Sequence, residues 1–219
     1  MLALLAFWLM GLLAMTDASP LERVARVKRC GNPPLDPQQL QLFSSKIVAD
    51  TQGHTTRNPF TVPVWFHVLA VSKTNGSLTD KALNDQFRVM NQDYAPHNIS
   101  FNLQGTTRTI NAAWATDQDG GRMRKALHRE GYDTLNLYFM VSLDGLGYCS
   151  MPEPTEPGSD VWIGDGCAIT SSTLPGGQGP YSLGRTVTHE VGHWLGLLHT
   201  FEGGCDGAGD FVSDTPAEK

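Results

Sequence analysis

Apolar residues follow two rhythms along this chain, one of period two and one of period 3.6. The run TVPVWFHVLAV, from Thr61 to Val71, is dense in β-branched and aromatic residues and predicts a central strand. TLNLYFMVSL, from Thr134 to Leu143, predicts a second. Leu40, Phe43, Ile47 and Val48 recur at helical intervals and predict a helix from Asp36 to about Gln52, with Asp36 as its N-cap. Leu83, Phe87, Met90 and Tyr94 mark the inward face of another over Leu78 to Tyr94, closed before Pro96. Short strands are predicted at Ile99 to Leu103, at Arg108 to Ala112 and within Val161 to Thr170, and a short basic helix at Gly121 to Glu130. Gly145 to Pro157, rich in Gly and Pro, reads as loop or sheet edge. Alternating strands and helices imply an α/β layer, and no internal repeat interrupts it.

A chain of 219 residues suits one domain with extensions. Its 16 basic and 22 acidic residues give a net charge of −6 with no dense basic patch, which argues against a nucleic-acid partner. Met1 to Leu13 is nearly all apolar and precedes the small-residue stretch Thr16-Asp17-Ala18-Ser19. That pattern predicts a signal peptide over residues 1–18, too short for a comfortable membrane span, and hence a secreted protein with no membrane partner after cleavage. In that compartment the four cysteines are candidates for disulfides, with three connectivities if all pair. The sequons Asn75-Gly76-Ser77 and Asn98-Ile99-Ser100 are candidate glycan sites.

The chemistry concentrates in THEVGHWLGLLHTF, Thr188 to Phe201. On a helix, residues four apart share a face, so His189 and His193 can place their imidazoles on one zinc ion with Glu190 alongside. His199, ten residues after His189, falls off that face of a straight helix. Gly196 can take positive φ, end the helix and swing His199 round as the third ligand. Three imidazoles leave a fourth position for water, and Glu190 is placed to be its general base. An ordinary amphipathic helix would account for Val191, Trp194, Leu195, Leu197 and Leu198 as core residues. It gives no reason for three histidines and a glutamate at these intervals. His67, within the first strand, reads as a strand histidine, since the ligand set is complete without it.

A further run, Lys28-Arg29-Cys30-Gly31-Asn32-Pro33-Pro34, places a thiol beside two cations that lower its pKa and make it a good zinc ligand. It resembles the cysteine-switch segment of matrix metalloproteinase propeptides, which implies that Cys30 occupies the fourth metal position and keeps the chain silent. An ordinary disulfide near the start of the mature domain is the alternative role for Cys30. Residues 19–35 are accordingly expected to be a prosegment or N-terminal extension, and residues 36–219 the domain.

The run GRTVTHEVGHWLGLLHTFEGGC, with the pieces LNLYF, LGYCSMP, DGCAI, LPGG and GDFVSDTP, resembles the pappalysin family of metzincin zinc endopeptidases, especially its secreted fungal branch. The resemblance implies an α/β fold of the α+β zincin type, with a mixed twisted sheet and an active-site helix. It implies His189, His193 and His199 as zinc ligands, Glu190 as catalytic base, a Cys149–Cys167 disulfide, and protein or peptide substrates. It also implies calcium near the cleft, for which Asp206, Asp210, Asp214 and Thr215 supply oxygen ligands. Their spacing is not that of an EF-hand, and a solvated acidic loop is the other reading. Metzincins carry a methionine-bearing turn and a helix beyond the third histidine, whereas no Met follows Met151 here and the chain reads to Lys219. The C-terminal subdomain is therefore expected to be largely missing, together with a partner for Cys205. Two expectations result: a monomeric secreted zinc endopeptidase, or a catalytically inactive zinc-binding remnant of one.

Overall fold

The strand predicted from Thr61 forms β1, Phe60–Ala70, and the sheet is assembled outward from it. The computed structural model of the protein describes residues 30–32, 35, 38, 39, 41, 45, 58–202, 205, 209–212 and 215. The expected Asp36–Gln52 helix and signal peptide lie largely or wholly outside those residues; Gln38, Gln39, Gln41 and Ser45 are helical.

Helix α1, Asp80–Tyr94, follows β1 and is capped by Thr79, whose hydroxyl accepts the Ala82 N–H. Then come β2, Ile99–Ile110, and two short helices, α2, Ala112–Ala115, and α3, Gly120–Leu127. Strand β3, Leu135–Met140, is buried throughout. The remaining elements are β4, Gly147–Cys149, α4, Asp160–Gly164, β5, Cys167–Thr170, and α5, Arg185–Trp194. The five-stranded sheet has the order β2-β1-β3-β5-β4, parallel except for β4, which runs antiparallel to β5 at the edge.

Two apolar layers cover the sheet. On one face Val64, Phe66, Val68, Leu137 and Phe139 pack with Leu83 and Met90 of α1 and with Val187 and Val191 of α5. On the other, Leu69, Tyr138 and Met140 meet Ala115, Met123 and Leu127 of α2 and α3. Each fully buried aliphatic or Phe side chain contributes about 1.5–3 kcal/mol, so the first layer fixes α5 to the sheet by burial alone. No helix among the described residues is long and apolar enough to cross a membrane.

Two local expectations are corrected. The strands predicted at Ile99–Leu103 and Arg108–Ala112 are one strand, β2, running through Gly105. That glycine lies under the Trp65 ring, where a Cβ would come within 2.4 Å of Cζ3, and the β1–β2 register slips between Val64 and Trp65. The short strand expected within Val161–Thr170 is β5, Cys167–Thr170, and the residues before it form α4, which Ser159 caps through the Trp162 N–H. The basic helix stops at Leu127, where His128 turns extended.

His67 sits in β1 on the face away from α5, stacked on Tyr138 at 4.8 Å between ring centroids. Its Nε2–H donates to Asn136 Oδ1 at 3.0 Å, and its Nδ1 accepts from Thr107 Oγ1 at 2.8 Å. Burial lowers its pKa from 6.5 to about 4 against the opposing Asn136 hydrogen bond. A histidine held neutral in the fold contributes stability that is complete above its unfolded pKa and is lost as pH falls towards the folded value. Between pH 6.5 and 4 that loss is about 3 kcal/mol. His67→Gln should therefore lose less stability between pH 7 and pH 4.5 than the native chain in urea titrations; parallel losses would contradict the assignment.

Candidate metal centre

Helix α5 carries the centre because α1 and the preceding loop hold its first turn. Gly184 takes φ +79° at the N-cap, and a Cβ there would strike the Gln86 side chain at 2.8 Å. Gln86 Nε2–H donates to the Gly184 carbonyl at 3.0 Å, and Tyr94 O–H to the Thr188 carbonyl at 2.9 Å. Asp93 accepts from Thr188 Oγ1 and pairs with Arg185, both at 2.5 Å. None of these α1 residues was read as belonging to the site. Gln86, a polar residue among the apolar positions of the inward stripe and fully buried, was the available signal.

At its other end the helix stops at Trp194, and Gly196 adopts φ +94°. His193 Nδ1–H donates to the Leu197 carbonyl at 2.7 Å, which closes the turn and leaves Nε2 with its lone pair free for a ligand role. The chain then returns His199 to the cluster, with ring centroids 5.3 Å from His189 and 4.5 Å from His193. His199 Nδ1 lies 3.6 Å from Glu202 Oε2, and its ring stacks on Phe201.

The donor atoms of His189, His193, His199 and Cys30 all lie within 4.8 Å of one another. His189 Nε2 and His193 Nε2 are 3.2 Å apart. Two nitrogens bonded to one tetrahedral zinc would be about 3.3 Å apart, so the residues fit that ion. His199 Nε2 is buried without a hydrogen-bond partner, which a cation would remedy. Burial lowers the pKa of all three histidines, that of His189 to about 4 with help from His193 and His199, so the rings are neutral and able to ligate.

Glu190 is fully buried and its Oε1 has no hydrogen-bond partner. Burial pushes its carboxyl up to about 8, against a lowering contact from Cys30. Directly above it runs β4: a Cβ on Gly147 would lie 2.8 Å from Glu190 Cγ. Cys149 pairs with Cys167 in register across β4 and β5, and the two form a disulfide.

The Cys30 segment lies on the outer side of that edge strand. Cys30 bridges to Gly147 in parallel, the Gly31 N–H donates to the Gly147 carbonyl at 2.7 Å, and Asn32 Oδ1 accepts the Cys149 N–H at 2.9 Å. Cys30 Sγ stands 3.6 Å from His193 Nε2 and 3.9 Å from Glu190 Oε2. The cleft around this point has a volume of about 910 Å³ and is lined by Leu146, Tyr181, Leu183 and Phe201 besides the polar groups. Of the expected calcium ligands, Asp206 and Asp214 lie outside the described residues. Asp210 is buried and accepts the Val212 N–H at 3.0 Å, and the Thr215 N–H donates to the Val212 carbonyl. Cys205 is exposed and in no disulfide among the described residues.

An active-site helix presenting two histidines and a glutamate, a glycine turn and a third histidine beneath an antiparallel edge strand define a metal-dependent peptidase. Comparison with known proteins agrees. A family model described as pregnancy-associated plasma protein-A matches residues 180–219. Extracellular metalloprotease 1 of Coccidioides posadasii is 48% identical over 199 residues, covering 88% of this chain and 71% of that protein. Extracellular metalloproteases of Colletotrichum graminicola and Verticillium alfalfae are 58% and 52% identical over 162 and 170 residues, covering 72% and 76% of this chain. The chain spans 58% and 62% of the length of those two relatives. It belongs to the pappalysin family of metalloproteases.

The closeness of Gly147 to Glu190 is open to test. Gly147→Ala should retain the metal but displace Glu190, lowering turnover by about a hundredfold, the effect of a displacement near 1 Å. Kinetics beside metal analysis would show it; full turnover would contradict the close fit.

Proposed function

We propose that the protein is a secreted zinc-dependent metalloendopeptidase whose site residues are His189, His193, His199 and Glu190. The convergence of three neutral imidazoles beside a buried carboxylate whose Oε1 has no hydrogen-bond partner carries this reading. Zinc, when held by the three rings, supplies Lewis acidity towards a peptide carbonyl and lowers the pKa of a water. Glu190 accepts the proton of the attacking water at Oε1 or Oε2 and passes it to the departing amine nitrogen. Its raised pKa suits it to hold that proton in transit. The β4 edge supplies backbone groups to which an extended peptide adds as a strand, so protein segments rather than small molecules are the substrate class. The extracellular relatives support secretion, with residues 1–18 as signal.

Cys30 is the proposed zymogen switch. Its thiol faces His193 and Glu190, and Gly31 and Asn32 take up β4 groups that a substrate would need. The unprocessed chain is latent on this reading.

Casein hydrolysis with zinc content measured alongside tests the proposal. After removal of the Cys30 segment the chain should cleave, a chelator should abolish cleavage, and Glu190→Ala should keep zinc while losing about 10²–10⁴-fold in rate. Zinc uptake without cleavage in every preparation would favour the inactive remnant instead. In the unprocessed chain Cys30→Ser should raise activity; unchanged activity there, with a competent processed form, would refute the switch alone.

A further inference from the structure

Asp165 stands two residues before β5 and is only 2% exposed. Its Oδ1 accepts the Ser150 hydroxyl at 2.6 Å, and its Oδ2 accepts the Trp194 indole N–H at 2.9 Å. Among the described residues no Lys or Arg forms an ion pair with it. Burying a carboxylate is expensive unless donors satisfy it, and these two donors come from different parts of the fold. Ser150 directly follows Cys149 of the disulfide, and its Oγ also takes the Gly166 N–H at 3.0 Å. Trp194 directly follows His193 and is the last residue of α5.

Gly166 holds this clamp in place. It has φ +117°, and a Cβ there would lie 2.3 Å from the Asn136 carbonyl, so the backbone next to Asp165 is pressed onto the end of β3. On the helix side, the turn that returns His199 starts from the same point, with the Gly196 N–H on the His193 carbonyl at 2.9 Å and the Leu197 N–H on the Gly192 carbonyl at 2.8 Å. A hydrogen bond to an ionised acceptor is shorter and about twice as strong as a neutral one, which favours Asp over Asn for holding such a turn.

We propose that Asp165 is a positioning residue of the metal centre: through Trp194 it ties the C-terminal turn of α5 to the disulfide-linked β4–β5 edge, and so sets how His193 and His199 present their ring nitrogens. This rests on the three-histidine zinc site proposed above. Outer contacts of this kind change metal affinity by about 10–100-fold when removed.

The test uses the full chain loaded with zinc, following zinc release to a chromophoric chelator and the thermal midpoint of the metal-free form. Trp194→Phe keeps an aromatic ring and deletes the N–H; Asp165→Asn keeps one acceptor for two donors. Both should release zinc about 10–100-fold faster than the native chain. Their double variant should be no faster than the worse single one, since both act through one contact. Met123→Ala, which opens a cavity in the opposite layer, should lower the midpoint at least as far with native zinc release. Native release from Trp194→Phe, or release that follows the midpoint equally in Met123→Ala, overturns the proposal; Trp194→Phe decides it alone where Asp165→Asn does not fold. A native chain that takes up no zinc overturns the zinc site as well, whereas uptake with unchanged variants overturns only the role of Asp165.

Discussion

The hydrogen bond from the His193 ring to the Leu197 carbonyl does two things on which the rest of the site depends. It puts the ring proton on Nδ1, so the nitrogen facing His189 is a lone pair. It also fastens the turn at Gly196, without which the third histidine would leave on the wrong side of the helix. Everything around α5 keeps this bond in place. Gln86, Asp93 and Tyr94 hold the first turn from α1, the apolar layer under Val187 and Val191 holds the middle, and Asp165 contacts the end.

Much of this was legible in the sequence because it rests on local rules. The strand pattern at Thr61 and Thr134 gave β1 and β3, since runs of β-branched and aromatic residues have few other ways to be buried. The helix ending at Tyr94 and the glycine turn after Trp194 follow from period and from the conformational freedom of glycine. What was not legible depends on partners distant in sequence. Gly105 reads as a break until Trp65 is seen lying over it. Asp165 reads only as part of a stretch containing a short strand until Trp194, on another element, is found to donate to it. Gly147 reads as turn composition until Glu190 is found beneath it.

The two faces of the sheet divide the work. The face towards α1 and α5 is apolar and carries the metal centre on its far side, whereas the opposite face buries His67 in a network with Thr107 and Asn136. His67 of β1 reaches Thr107 of β2 and Asn136 of β3, so this network ties those strands in one register. A slip there would reach β3 and, through it, the β5–β4 edge over Glu190.

The parallel bridge between Cys30 and Gly147 carries a consequence of its own. A segment tethered to the surface it covers competes at an effective concentration in the millimolar range, so even weak contacts from a thiol, one backbone N–H and one Asn side chain keep it docked. A single cut between Asn32 and the domain would leave the contacts of Cys30, Gly31 and Asn32 as they are, yet turn the same segment into an ordinary solute. On the switch proposed for Cys30, dilution then carries that solute away, which makes unmasking of the cleft irreversible without any further expenditure of energy.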